Sequence, residues 1–201
     1  KPIIITAAQR SIDRGSSDAF MNLVCAINVA SNFDGAGVFV CMHANSSDDF
    51  CNLIRATKVR KMHSSRRDAF RPINSLPIAE IYLDKEIKII NRNYDKRDDK
   101  KITKADISFE EKIGFLQTTP LIDNKLIDFF IENDYKGLVI SGTGLGHVPL
   151  NGKNSLKESL EKAKKKGMTI VITSQCIYGR VNPYVYSIFF ELYFKYFAVC
   201  S

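Results

Sequence analysis

Four apolar runs constrain the architecture most: Ile3 to Thr6 (IIIT), Gly37 to Met42 (GVFVCM), Gly137 to Ser141 (GLVIS) and Met168 to Thr173 (MTIVIT). None alternates with polar residues, so each reads as a short strand covered on both faces, as in parallel sheets. Helical periods lie between them. Asp18 to Ala30 places Phe20, Leu23, Val24, Ile27 and Ala30 on one face, with Asp18 or Ser17 as N-cap. Leu121 to Glu132 turns Ile122, Leu126, Phe129 and Phe130 inward, and Ser155 to Lys166 is a helix capped near Asn154. Strand, helix and strand at the first spacing predict a right-handed crossover unit, and the whole reads as α/β.

Ile113 to Thr118 is a further strand, and Ile78 to Leu83 and Glu86 to Ile90 are two short strands around the turn residues Asp84 and Lys85. Arg92 to Thr103 is charged without an apolar period and is expected to be a loop or linker. We therefore expect two domains, residues 1–105 and 106–201. With 201 residues and 45% hydrophobic content the chain can bury a real core. The apolar tail from Tyr184 to Ser201 is interrupted by Glu191 and Lys195 and is short for a membrane span. A buried or partner-covered amphipathic helix is expected there, with no membrane association. The opening Lys1-Pro2-Ile3 has neither an initiator methionine nor a secretory pattern, so an upstream segment is expected to have been lost. Five cysteines without a CxxC pair point to reduced thiols and a cytoplasmic protein.

The formal charge of +7 favours a polyanion such as RNA. Part of the excess has a plainer origin, since Lys162 to Lys166 ends a helical pattern and suits its negative pole. The densest patch holds Arg55, Lys58, Arg60, Lys61, Arg66 and Arg67, with no acid before Asp68. By charge pattern alone all six form a solvated or RNA-facing surface.

Gly142-Thr143-Gly144-Leu145-Gly146-His147 follows the strand GLVIS, where a glycine-rich turn brings backbone N–H groups close to an anion or simply satisfies positive φ angles. Thr173, Ser174 and Gln175 end another strand, the usual place for ligands in open α/β sheets, and Arg180 is placed to pair with a carboxylate. Turn capping is the plainer role for all four. Cys41, His43 and Cys51 lack zinc-site spacing, and no metal is expected.

Taken together, SGTGLGHV, TSQCIYGRVNPYVYS, TAAQRSIDRGSSDAF and ATKVRKMHSSRRDAFRPIN resemble the asparaginase/glutaminase family, and within it the D-subunit branch of archaeal glutamyl-tRNA(Gln) amidotransferases. The likeness runs from Lys1 to about Ser187. It implies an asparaginase-like fold of two α/β domains with mainly parallel sheets, here incomplete at the N-terminus. It further implies a homodimer within a heterotetramer, releasing ammonia from glutamine for a partner E subunit that converts Glu-tRNA(Gln) to Gln-tRNA(Gln). No cofactor is implied for this chain, while ATP and Mg serve the partner. The family's catalytic group is two threonines, an aspartate and a lysine. Lys58 matches the lysine, and the chain contains no TGGT or GTDT motif for the others. Thr173, Ser174 and Gln175 become candidate substrate-binding residues, and Arg60, Lys61, Arg66 and Arg67 candidate contacts to partner or RNA. A free L-asparaginase and a non-catalytic truncated remnant are the alternatives. After VNPYVYS the family pattern is replaced by IFFELYFKYFAVCS.

Overall fold

A computed structural model describes residues 1–102, 104–182 and 184–185, and the backbone of 198–199. The chain divides into two compact units, Lys1–Lys104 and Ala105–Ser201.

In the first unit β1 (Pro2–Ile5), α1 (Ala19–Asn32) and β2 (Gly35–His43) form a strand, helix, strand unit whose two strands pair in parallel, with Ile3 opposite Val38. From β2 onward the pairing reverses. β3 (Cys51–Arg55), β6 (Ala79–Ile81) and β7 (Ile87–Ile89) continue the sheet antiparallel in the order β1-β2-β3-β6-β7, and β8 (Asp95–Lys96) pairs with the start of β2. This corrects the expectation of mainly parallel sheets for this half. The reason lies in the connections, because loops as short as 44–50 and the Asp84-Lys85 turn, with Lys85 at φ 78°, can join only antiparallel neighbours. β4 (Val59–Lys61) and β5 (Phe70–Pro72) form a separate two-stranded hairpin. The charged stretch 92–102 is a loop apart from β8.

The face of α1 is also corrected. Met21, Asn22, Cys25, Ala26, Asn28 and Val29 are buried, while Phe20, Leu23 and Ile27 are exposed. Met21, Cys25 and Val29 pack with Phe39, Cys41, Leu53, Ala79 and Ile81 in one core. The buried asparagines disguise this face in the sequence. Asn22 donates to Ala7 O (2.9 Å) and Asp18 Oδ2 (2.8 Å), and Asn28 donates to Lys85 O (3.1 Å). Hydrogen bonds formed on folding make the inner face of α1 acceptable to polar groups.

The second unit is the parallel one. β9 (Ile113–Gln117), α2 (Lys125–Glu132), β10 (Gly137–Gly142), α3 (Lys157–Lys165) and β11 (Thr169–Ser174) alternate, and β12 (Ala198–Val199) adds a fourth strand in the order β12-β11-β10-β9. Leu138, Ile140, Ile170 and Ile172 meet Ile127 and Ile131 of α2 and Leu160 and Ala163 of α3. In α2, Leu126 and Phe129 face solvent rather than inward, and Ile122 is buried ahead of the helix. Phe130 remains against the core, where its ring covers Gly114. Asn154 does not cap α3, since its amide donates to Pro120 O (3.3 Å) and Ser155 Oγ accepts from Lys157 N (3.3 Å) instead. Lys162, Lys164 and Lys165 lie in the last turn, opposite the negative pole of the helix. Of the expected C-terminal helix, 186–197 lie outside the described residues, and its end is the strand β12. No helix among the described residues is long and apolar enough to cross a membrane.

The assignment of the α1 faces predicts opposite responses to truncation. Met21→Ala should lower stability by about 2 to 5 kcal/mol, and Leu23→Ala by less than about 0.5 kcal/mol. Urea unfolding of both variants measures the difference, and equal losses would contradict the assignment.

Candidate functional site

The basic stretch folds around one buried carboxylate. β3 leads into a 3-10 turn, Ala56–Lys58, whose last carbonyl accepts from Ile73 N (2.8 Å), closing the base of the β4–β5 hairpin. Lys58 is half-buried there and its ammonium makes no ion pair among the described residues. Beyond it, Asp68 is only 2% exposed and is gripped by Arg66, with Nε to Oδ1 and Nη2 to Oδ2 both at 2.9 Å, while Arg71 holds Oδ2 as well. Burial raises the carboxyl pKa of Asp68, but Arg71 and Arg66 outweigh it and leave the pKa below the ordinary value.

Arg67 is engaged in the same way. It donates to Asp48 Oδ1 (2.6 Å) and to the Ser46 carbonyl. Asp48 also meets His43 Nε2 (3.0 Å), and the other ring nitrogen of this fully buried histidine lies 2.6 Å from Asn22 Oδ1. The bond to His43, with Arg67 beside it, holds the Asp48 carboxyl below its usual pKa against the opposing effect of desolvation. Of the four candidate contact residues, Arg66 therefore serves its own hairpin and Arg67 ties that hairpin to the loop after β2. Arg60 and Lys61 are exposed on β4, with the Lys61 ammonium 5.9 Å from the centroid of Phe70. Cys25 and Cys51 are buried thiols of the core. The Cys51 contact and burial push Cys25 up. Cys51 is pulled down by Cys25 but raised further by Cys41 and burial, so neither offers a thiolate.

In the second unit the strand ends are tied by Gln175. Its amide donates to Thr118 O (2.7 Å) and Ser141 O (3.0 Å), and its backbone N–H donates to Gly142 O (2.8 Å). Ser174 Oγ donates to the Gly144 carbonyl, and Thr173 lies in β11 opposite Ser141. The structure thus brings the three candidate substrate residues to the carboxyl edge of the sheet, with Ser174 and Gln175 holding the glycine loop. That loop is a tight turn in which Thr143 bridges His147, with Gly144 at φ 50° and Gly146 at φ 102°. A Cβ on Gly142 would come within 2.5 Å of the Gly146 backbone, so the approach requires glycine. Beside it opens a cavity of about 260 Å³ lined by Thr118, Thr119, Thr143 and the Val148-Pro149 segment. Thr118 and Thr119 stand in no motif that marks them in the sequence. The signal for them is their position immediately after a buried parallel strand.

Two consequences are measurable. The Asp68 carboxyl has a depressed folded-state pKa, so its pairing stabilises the fold above the unfolded carboxylate range and is lost as pH falls through the folded value. Asp68→Asn should cost about 1 to 3 kcal/mol at neutral pH, the arginines being half-exposed. It should also reduce the loss of stability on acidification below about pH 4, which urea unfolding across that range reads out. Gln175→Leu leaves the Thr118 carbonyl without its donor, while Ser141 O keeps the Thr118 N–H and hydroxyl, and should cost about 1 to 3 kcal/mol. Unchanged thermal unfolding in this variant would leave Gln175 free of structural duty.

A family model described as Asparaginase, N-terminal, matches residues 1–95, and one described as Glutaminase/Asparaginase C-terminal domain matches residues 112–192. The D subunit of glutamyl-tRNA(Gln) amidotransferase from Pyrococcus abyssi (strain GE5 / Orsay) is 48% identical over 187 residues, 93% of this chain and 41% of that protein. The protein of the same name from Methanobrevibacter smithii is 48% identical over 186 residues, 92% and 41% of the two chains. The chain thus spans about two fifths of the length of these curated relatives. Among solved structures, the thermostable L-asparaginase from Thermococcus kodakarensis superposes with a TM-score of 0.80 over 94% of this chain and 53% of that one, at 23% identity, a likeness of fold alone. With both domain families matched in order along an α/β chain of this fold, the chain belongs to the asparaginase/glutaminase family.

Proposed function

We propose that this chain is part of the glutaminase subunit of a tRNA-dependent amidotransferase, releasing ammonia from glutamine for conversion of Glu-tRNA(Gln) to Gln-tRNA(Gln). The observation that carries the reading is the 48% identity, over 93% of the chain, to a protein named as the D subunit of such an enzyme. The chemistry assigned to this chain centres on Lys58. Its amine takes the proton of a threonine hydroxyl, which is too weak a nucleophile unaided, as the hydroxyl attacks the glutamine carboxamide. The lysine returns that proton to the amide nitrogen, ammonia leaves as the C–N bond breaks, and water then releases glutamate from the acyl-enzyme. The attacking threonine belongs to motifs that these 201 residues do not contain. Thr173, Ser174 and Gln175 are proposed as the substrate-side edge of the second unit.

The reading places the chain in the cytoplasm with an amidotransferase E subunit, as a homodimer within a heterotetramer. It assigns ATP and Mg to that partner and no cofactor to this chain. Arg60 and Lys61 remain the exposed candidates for contact with partner or RNA.

Ammonia release from glutamine and asparagine tests the proposal in a protein extended to the length of its relatives, with and without an E-type subunit, ATP and glutamyl-tRNA. Glutamine hydrolysis should rise when partner and charged tRNA are present. Lys58→Ala should lower it at least about 100-fold without changing thermal unfolding. The 201-residue chain alone should release no ammonia. Asparagine hydrolysis indifferent to partner and tRNA would replace this reading with a free L-asparaginase, and full turnover in Lys58→Ala would remove the lysine from the mechanism.

A further inference from the structure

Two arginines without carboxylate partners lie outside the densest basic stretch, side by side in one loop. The loop after β1 and the turn between β4 and β5 enclose a cavity of about 290 Å³ lined by Gln9, Arg10, Ser11, Arg14, Ser16 and Ser65. It joins two stretches singled out in the sequence, TAAQRSIDRGSSDAF and KVRKMHSSRRDAF. Neither Arg10 nor Arg14 forms an ion pair among the described residues, and the guanidinium of Arg10 donates to Ser16 Oγ (2.8 Å). No carboxylate lines the cavity. Gln9 Oε1 is buried and has no hydrogen-bond partner among the described residues.

The loop is held from below. Asp18, fully buried, accepts from Gln9 N and Arg10 N at 3.0 Å and from Asn22 Nδ2 at 2.8 Å. Ser17 Oγ donates to Arg10 O (2.9 Å), and Arg14 N donates to Ser11 O (3.0 Å). The cationic side chains thus spring from a backbone already fixed, which lowers the ordering cost of binding.

We propose that this cavity binds a phosphate ester bearing a neighbouring hydroxyl, the ribose-phosphate unit of a free ribonucleotide or of an RNA strand. Two guanidiniums and the Ser16 and Ser65 hydroxyls supply donors for the non-bridging phosphate oxygens, the Ser11 hydroxyl being given to Asp13. The Gln9 carbonyl, unpartnered where it is buried, supplies once its side chain turns into the cavity what an anion alone does not use, an acceptor for the ribose 2′-hydroxyl, the group that distinguishes RNA from DNA. The volume lies just below the roughly 300 to 1,000 Å³ typical of ligand pockets, room for one sugar-phosphate. The formal charge of +7 favours approach of such an anion. The inference does not rest on the amidohydrolase reading.

Fluorescence anisotropy of the 201-residue chain with a short labelled single-stranded RNA tests it, with AMP, 2′-deoxy-AMP, inorganic phosphate and DNA of the same sequence as competitors. Arg10→Ala and Arg14→Ala should each weaken RNA binding about tenfold or more, with Arg14→Lys intermediate. The Lys100→Ala, Lys101→Ala double variant should stay within about twofold of the parent, as expected for exposed charges outside the cavity. Gln9→Met should erase the preference for ribose over deoxyribose. Competition by AMP as effective as by RNA identifies a free nucleotide as the ligand, and competition by RNA alone identifies the strand. Affinity unchanged in both arginine variants, an equal loss in the Lys100, Lys101 double variant, no ribose preference in the parent chain, or no measurable binding would each overturn the proposal.

Discussion

The first unit depends on a buried polar relay that begins at Asp18. This carboxylate takes up the backbone N–H groups of the loop after β1 and the amide of Asn22 on α1. Asn22 then accepts from the backbone N–H of His43 (3.0 Å) at the end of β2 and lies against its ring. His43 reaches Asp48, and Asp48 holds Arg67 of the basic hairpin. Four segments distant in sequence are therefore positioned by one chain of hydrogen bonds. Asp18, Asn22 and His43 are fully buried and Asp48 is exposed at the far end; in a low-dielectric interior the buried members are worth retaining only while each has its partner, which is why α1 turns asparagines inward and leaves Phe20, Leu23 and Ile27 outside.

That relay, together with the Asp68 clamp, determines what the positive charges do. Arg66, Arg67 and Arg71 are neutralised by two aspartates and give the hairpin its shape. Arg10 and Arg14 meet no such acid and line a cavity beside Gln9, whose buried carbonyl has no partner among the described residues. A basic run in a sequence counts charges, whereas recognition depends on which charges remain after the fold has paired the rest. Lys58 belongs to the second kind, half-buried at a turn with its ammonium unpaired among the described residues.

The second unit solves a related problem with neutral groups. Three parallel strands end with carbonyls at their carboxyl edge, and the single amide of Gln175 donates to those of β10 and of the residue after β9. The glycine loop can then turn tightly beside the cavity at Thr118 and Thr143. A residue that reads as a ligand contact by its location acts here first as the tie that keeps the edge together.

By itself the sequence determined the strands of the second unit, the crossover from β1 to β2, the family, and Lys58 as the catalytic candidate, because apolar runs and short motifs are local features of the chain. The orientation of α1 and α2 was not legible, since both helices carry apolar residues on more than one face and only the opposing sheet selects among them. The antiparallel half of the first sheet followed from loop lengths that no single strand signal carries. Tertiary structure alone decided which arginines are neutralised and which face a cavity. Asp48, the partner of Arg67, lies 19 residues away in the chain, and even Asp68, a near neighbour of Arg66 and Arg71, meets them only through the turn of the hairpin, because electrostatic partnership depends on distance in space.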